Sequence, residues 1–260
     1  MLVRMNRTPL IAGNWKLNLD HLQAIALVQK LAWTLSDAHH RFDEVEVAVF
    51  PPFTDLRSVQ TLITADKLKI GLGAQDLSVY DDGAHTGEIS GAFLRRLECR
   101  YVIVGHSERR RDHGETDAVV AAKAAAAVRH GLVPVICVGE SAEQRAEDAT
   151  AAVLTAQVQA AASGLPAEAE IVIAYEPVWA IGAGEPATPA QAQAAATVVR
   201  QALGERGDAA RVLYGGSVDV GTVAPIMRSP DVDGVLVGSA SLDAKRFAGI
   251  ARYQAHVNVG

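Results

Sequence analysis

The sequence is poor in cysteine and carries no excess of positive charge, and each shortage removes a class of function. Cys99 and Cys137 are its only 2 cysteines. No Cys-x-x-Cys pair and no histidine cluster at metal-ligand spacing accompanies them, which argues against a structural zinc and for a reducing compartment. Against 30 acidic residues stand 24 basic ones, a formal net charge of −6, so neither nucleic acid nor an anionic membrane is an expected partner. No apolar run approaches the ~18 residues of a membrane span. Asn6, Arg7 and Thr8 interrupt the start of the chain, and no signal-peptide apolar region follows Arg4. A cytoplasmic protein is expected. Linkers, low-complexity tracts and composition shifts are also missing, so the 260 residues, 49 % hydrophobic, read as one domain over 1–260.

What the chain does have is a repeated alternation. Short apolar, mostly β-branched runs occur at Leu10–Ala12, Val45–Phe50, Lys69–Leu72, Tyr101–Val104, Val133–Val138, Ile171–Tyr175, Arg211–Tyr214 and Gly234–Val237. Segments of helical period lie between them, around Leu22–Trp33 and over the alanine-rich Ala118–Val128, Ala149–Ala161 and Ala190–Leu203. Thr54-Asp55, Ser141-Ala142-Glu143 and Thr188 before Pro189 signal helix starts, while Gly131 and Gly204 signal stops. Strand then helix, eight times over, predicts parallel strands with right-handed crossovers, and in ~250 residues a closed eight-stranded (β/α)₈ barrel. The rival, a doubly wound open sheet, usually carries Gly-x-Gly-x-x-Gly after its first strand. Here that strand leads to Gly13-Asn14-Trp15-Lys16 instead. The basic run Arg109-Arg110-Arg111 reads as a solvated helix face in preference to a phosphate patch.

The most informative stretch is Ala174–Pro189. A buried strand ends in Glu176, Pro177 follows, and a glycine pair, Gly182 and Gly184, lies between prolines. A carboxylate at the root of a loop with stiff ends and a soft tip is what proton abstraction under a lid requires. Barrel chemistry sits at the carboxyl ends of the strands. Those ends carry Asn14 and Lys16, Gln75, His106-Ser107-Glu108, Glu176, Gly215-Gly216-Ser217 and Gly238-Ser239. Lys16 alone would read as a surface lysine, His106 as a core histidine, Glu176 as a structural carboxylate. Their convergence on one rim points to chemistry, because strand direction is set independently of side-chain identity. Glycines after the last two strands expose backbone N–H groups to a phosphate. A short sugar phosphate is the expected ligand.

In order along the chain, Gly13–Lys16, Val104–Arg110, Cys137–Glu140, Ala174–Trp179, Tyr214–Ser217 and Leu236–Gly238 resemble the motifs of triosephosphate isomerases. The resemblance covers nearly the whole chain. It implies that Glu176 is the base moving a proton between the two carbons of dihydroxyacetone phosphate and glyceraldehyde 3-phosphate, in glycolysis and gluconeogenesis. It also implies that His106 is a neutral electrophile, in the family for which that pairing is the standard worked case. Lys16 and Asn14 would hold the enediolate oxygens, with Glu108 pairing Lys16 in the free site. Gly182, Ser217, Gly238 and Ser239 would bind phosphate. A lid over about 177–187 would close over the intermediate, latched by Tyr214 and Ser217. No metal or organic cofactor is implied. The loop over 76–88 would enter a second copy of the chain, making a homodimer with Thr86 near the partner's Asn14 and Lys16.

Some positions depart from the family pattern. Ser239 stands where a second glycine is usual; an ordinary φ there would leave its N–H pointing inward and add a hydroxyl donor. Ala183, Glu185 and Pro186 alter the lid, and Pro186 is expected to reduce the entropy lost on closing. His113 replaces an aromatic, for which the sequence offers no reason. An isomerase of a four-carbon ketose phosphate and a non-catalytic phosphate-binding barrel remain as alternatives.

Overall fold

A computed structural model describes residues 7–180 and 186–257. Its strands are β1 (Leu10–Asn14), β2 (Glu46–Phe50), β3 (Gly71–Ala74), β4 (Tyr101–Val104), β5 (Val133–Val138), β6 (Val172–Tyr175), β7 (Arg211–Tyr214) and β8 (Gly234–Val237). All pair in parallel in chain order, and β8 closes on β1 through Leu10 opposite Gly234 and Gly13 opposite Val237. This is the expected closed (β/α)₈ barrel.

The helices are α1 (His21–Asp37), α2 (Phe53–Ala65), α3 (Gly91–Arg96), α4 (Ser107–His113), α5 (Asp117–Arg129), α6 (Ala142–Ala146), α7 (Thr150–Ala162), α8 (Pro189–Leu203), α9 (Val223–Met227), α10 (Ala244–Ala251) and α11 (Gln254–Val257). Short 3₁₀ turns occupy Val178–Ala180, Gly204–Asp208 and Ser239–Leu242.

Alternation along each strand divides the apolar residues into two layers. Leu10, Ala12, Ala48, Phe50, Tyr101, Ile103, Val135, Cys137, Val172, Ala174, Leu213 and Leu236 fill the barrel interior. Their neighbours Ile11, Val47, Val49, Val102, Val104, Ile136 and Ile173 face the helices. Strands buried on both faces must be apolar throughout, which is why they read as runs.

Ser141 and Thr188 cap α6 and α8 as expected, each in a reciprocal capping box with the glutamine three residues on. The third strand lies two residues later than the run Lys69–Leu72. Gly71 and Gly73 hide it in sequence, yet the Phe50 ring occupies the space a side chain at Gly73 would need. The helix start at Thr54-Asp55 is also corrected. α2 opens at Phe53 behind Pro52 with no side-chain cap, since the fixed φ of proline already sets the turn.

Nor is the arginine run a free solvated face. Arg109 pairs with Asp76 and Glu115, Arg110 with Asp117, and Arg111 with Asp112. Among the described residues, no helix is long and apolar enough to cross a membrane.

Candidate active site

The carboxyl ends of the strands surround a cavity of about 560 Å³. Asn14, Lys16, His106, Glu176, Ser217, Gly238 and Ser239 all line it. Gly182 lies outside the described residues.

Lys16 stands at the end of β1 with φ 53°, a left-handed conformation that disfavours a side chain. Three bonds hold it there. Its N–H donates to Asn14 Oδ1 at 3.0 Å, and its carbonyl accepts from Gln75 Nε2 at 2.9 Å. Its ammonium meets Glu108 Oε1 at 2.5 Å. Gln75 also donates to the Phe50 carbonyl at 2.9 Å, so one amide ties the ends of β1, β2 and β3 together.

His106 owes its aim to the turn out of β4. Gly105, at φ 69°, swings the chain inward, and a Cβ there would strike Val120. His106 then caps α4, its Nδ1 accepting the Glu108 backbone N–H at 3.2 Å. That bond leaves the ring proton on Nε2, which faces Glu176 Oε1 at 2.9 Å. The other carboxylate oxygen of Glu176 accepts from the Ser107 backbone N–H at 2.8 Å. Base and imidazole are thus both buried and joined at one end of the cavity.

The ground beneath Glu176 is closely packed. Its backbone N–H donates to the Val138 carbonyl at 2.8 Å, and its own carbonyl lies against Gly139, where a Cβ has no room. The Cys137 thiol is fully enclosed; burial, and then the neighbouring Glu176 carboxylate, push its pKa well up. It therefore stays a thiol at neutral pH and is no nucleophile.

The wall formed after β7 and β8 is built from turns. Ser239 does not have a positive φ and opens the 3₁₀ turn Ser239–Leu242, so serine in place of glycine is unstrained. Ser217 and Ser239 are both exposed on this wall. Tyr214 folds its hydroxyl against Gly216. Burial pushes its pKa up to about 12, countered by the Ala187 backbone, which lies near without completing a well-formed hydrogen bond.

Two features had only weak signals in sequence. Glu140 belonged to a matching motif but had no role. It is fully buried, and its Oε1 accepts from Trp179 Nε1 at 2.9 Å and Tyr175 Oη at 3.1 Å, with Arg145 Nη1 at 3.2 Å. It anchors the chain on both sides of Glu176. The second is a set of four charges, the buried Asp76, Glu115 and Lys123 with the half-buried Arg109. Lys123 Nζ lies 2.6 Å from both Asp76 and Glu115. Burial raises the Asp76 pKa against the pull of Lys123; Glu115, also opposed by burial, is held below its ordinary value by Lys123 and Arg109. Among the described residues there is no group of histidine, cysteine and carboxylate side chains that could hold a metal ion.

Comparison with known proteins identifies the family. A family model described as triosephosphate isomerase matches residues 9–254. A triosephosphate isomerase of Leifsonia xyli subsp. xyli is 60 % identical over 258 residues, covering 97 % of this chain and 100 % of the relative. One from Mycobacteroides abscessus is 55 % identical over 94 % of this chain and 95 % of its own. The crystal structure of triosephosphate isomerase from Bartonella henselae superposes with a TM-score of 0.84 at 35 % identity, covering 95 % of this chain and 99 % of that one. Matched by this family model over 9–254 and by relatives along nearly its whole length, and folded as the same barrel, the chain belongs to the triosephosphate isomerase family.

Proposed function

We propose that Glu176, His106, Lys16 and Asn14 interconvert dihydroxyacetone phosphate and D-glyceraldehyde 3-phosphate through a cis-enediolate. Glu176 takes a proton from one carbon and returns it to the neighbouring carbon, so the reaction needs no oxidant, metal or organic cofactor. The His106 Nε2–H donates a hydrogen bond to the substrate oxygens as negative charge gathers on them. In the free site that N–H is directed at Glu176 Oε1, 2.9 Å away. A substrate oxygen replacing the carboxylate there frees the base to turn toward carbon. Lys16 and Asn14 stabilise the developing oxyanion, and Glu108 holds the ammonium until substrate arrives. Backbone N–H groups around Ser217, Gly238 and Ser239 receive the phosphate, with Gly182 assigned by resemblance alone. Phosphate binding orients the reacting carbons without taking part in the chemistry.

The observation that carries this reading is the buried Glu176–His106 contact in the same cavity as the Gly238-Ser239 turn. Turnover of glyceraldehyde 3-phosphate tests it. Glu176→Asp, which retracts the carboxylate by about 1 Å, lowers kcat by on the order of 10²-fold. His106→Gln lowers it by about 10²–10⁴-fold. Near-normal rates from either variant overturn the assignment. A four-carbon ketose phosphate turned over faster than the triose shifts the substrate class.

The chain is further read as one half of a homodimer. Beside the cavity lies a second groove of about 500 Å³, lined among others by Lys16, Leu17, Phe53, Gln75, Glu108 and His113. Leu17, 95 % exposed, stands at its edge, and a partner's loop over 76–88 would cover it. The loop itself is held at its root by the Asp76–Lys123 pair and further along by Asp81 with Arg129 and His130. Tyr80 and His85 stack within it at 3.6 Å. Two buried, unpaired cysteines fit a cytoplasmic location.

A further inference from the structure

We propose that Arg246 is an encounter residue, drawing the phosphorylated substrate to the cavity mouth by a charge that no described residue pairs. The proposal rests on the reading of function above and adds to it a group outside the strand-end motifs. Arg246 lies in the first turn of α10 and lines the same cavity as Lys16, His106 and Glu176. Its backbone N–H donates to Asp243 Oδ1 at 2.8 Å, but among the described residues its guanidinium has neither an ion pair nor a hydrogen bond. The other strong cation of the cavity is already engaged, since Lys16 meets Glu108 at 2.5 Å. Asp219, on the same wall, opposes an incoming anion, but its Oδ1 accepts the Gly221 and Thr222 N–H groups at 2.8 and 3.0 Å, which disperses that charge.

Electrostatic balance gives Arg246 its effect. The chain as a whole carries −6 and repels a dianion. Before any contact forms, the Lys16–Glu108 pair is close to neutral at a distance, and the Glu176 carboxylate is buried with its oxygens on the Ser107 N–H and His106 Nε2, so Arg246 is the cation that the phosphate meets. Arg246 is assigned no part in the proton transfer and is not a catalytic residue. It acts on the approach, which raises kcat/KM and leaves kcat to Glu176 and His106.

The test is the salt dependence of kcat/KM for glyceraldehyde 3-phosphate in wild type, Arg246→Ala and Arg246→Glu, with phosphate-free glyceraldehyde as an uncharged control. For one charge acting on a dianion across about 10 Å, Arg246→Ala lowers kcat/KM about threefold at 10 mM ionic strength, and Arg246→Glu about tenfold. Both deficits shrink below about twofold at 0.3 M, where screening is strong. kcat stays within about twofold of wild type, and turnover of glyceraldehyde is unchanged. A loss that does not depend on salt, an equal loss on both substrates, or no loss at low salt overturns the proposal. Wild type without turnover of either triose would overturn the proposed function instead, so the two failures are distinguishable.

Discussion

At the scale of single residues, the cavity floor is made by exclusion as much as by attraction. Glu176 can sit where it does because residue 139 has no side chain; its carbonyl occupies the place a Cβ would take. Gly139→Ala must therefore push the base away from His106. A misplacement of about 1 Å lowers kcat by on the order of 10²-fold, and overpacking costs about 1–3 kcal/mol of stability. Steady-state kinetics beside urea denaturation check both, and a variant with wild-type kcat would show that the floor yields freely. Lys16 shows the complementary case. Its left-handed backbone is retained against an intrinsic cost of about 1–2 kcal/mol because Asn14 and Gln75 bind its N–H and carbonyl.

At the scale of elements, the loops at the catalytic end are held by the helices that follow them. The segment after Glu176 resumes its described course at Pro186 and enters α8 through Thr188, whose hydroxyl accepts the Gln191 N–H at 3.3 Å while Gln191 Oε1 accepts the Thr188 N–H at 2.8 Å. Pro189 in the first turn needs no partner for a missing N–H. Thr188→Ala removes one half of this exchange and costs about 1 kcal/mol. For a chain of this size that is a fall in Tm of about 2–4 °C by calorimetry. An unchanged Tm would mean that the segment before α8 is secured elsewhere. Glu140 serves the leading side in the same way, gripping Tyr175 and Trp179 from one buried oxygen.

At the scale of the whole molecule, the cluster of Asp76, Arg109, Glu115 and Lys123 joins the root of the 76–88 loop to α4 and α5, and α4 begins immediately after His106. The loop proposed to enter the partner and the turn carrying His106 therefore share one support. Leu17→Glu places a charge on the apolar rim between the cavity and the neighbouring groove. The expected result in sedimentation is a shift from dimer to monomer at micromolar concentration, with activity falling along with the dimer fraction. A variant that remains dimeric and active would move the interface elsewhere.

Most of the barrel was legible in the chain because its signals are local. A strand buried on both faces has to be apolar along its length, and a capped helix carries its cap next to its first turn, as at Ser141 and Thr188. The strand ends then pointed to Lys16, His106 and Glu176, since a parallel barrel brings every such end to one rim. β3 was expected two residues too early because its glycines, which make room for Phe50 from another strand, carry no strand signal. Of the three arginines of α4, Arg111 is solvated as expected, while Arg109 escaped because nothing nearby in sequence reveals that it meets Asp76. Likewise only the folded chain decides that His106 presents Nε2 to Glu176, that Glu140 grips the chain on both sides of Glu176, and that Arg246 shares the cavity with no counter-ion among the described residues. Composition and periodicity act through neighbours along the chain, whereas charge pairing and steric exclusion act between segments that meet only once the barrel has closed.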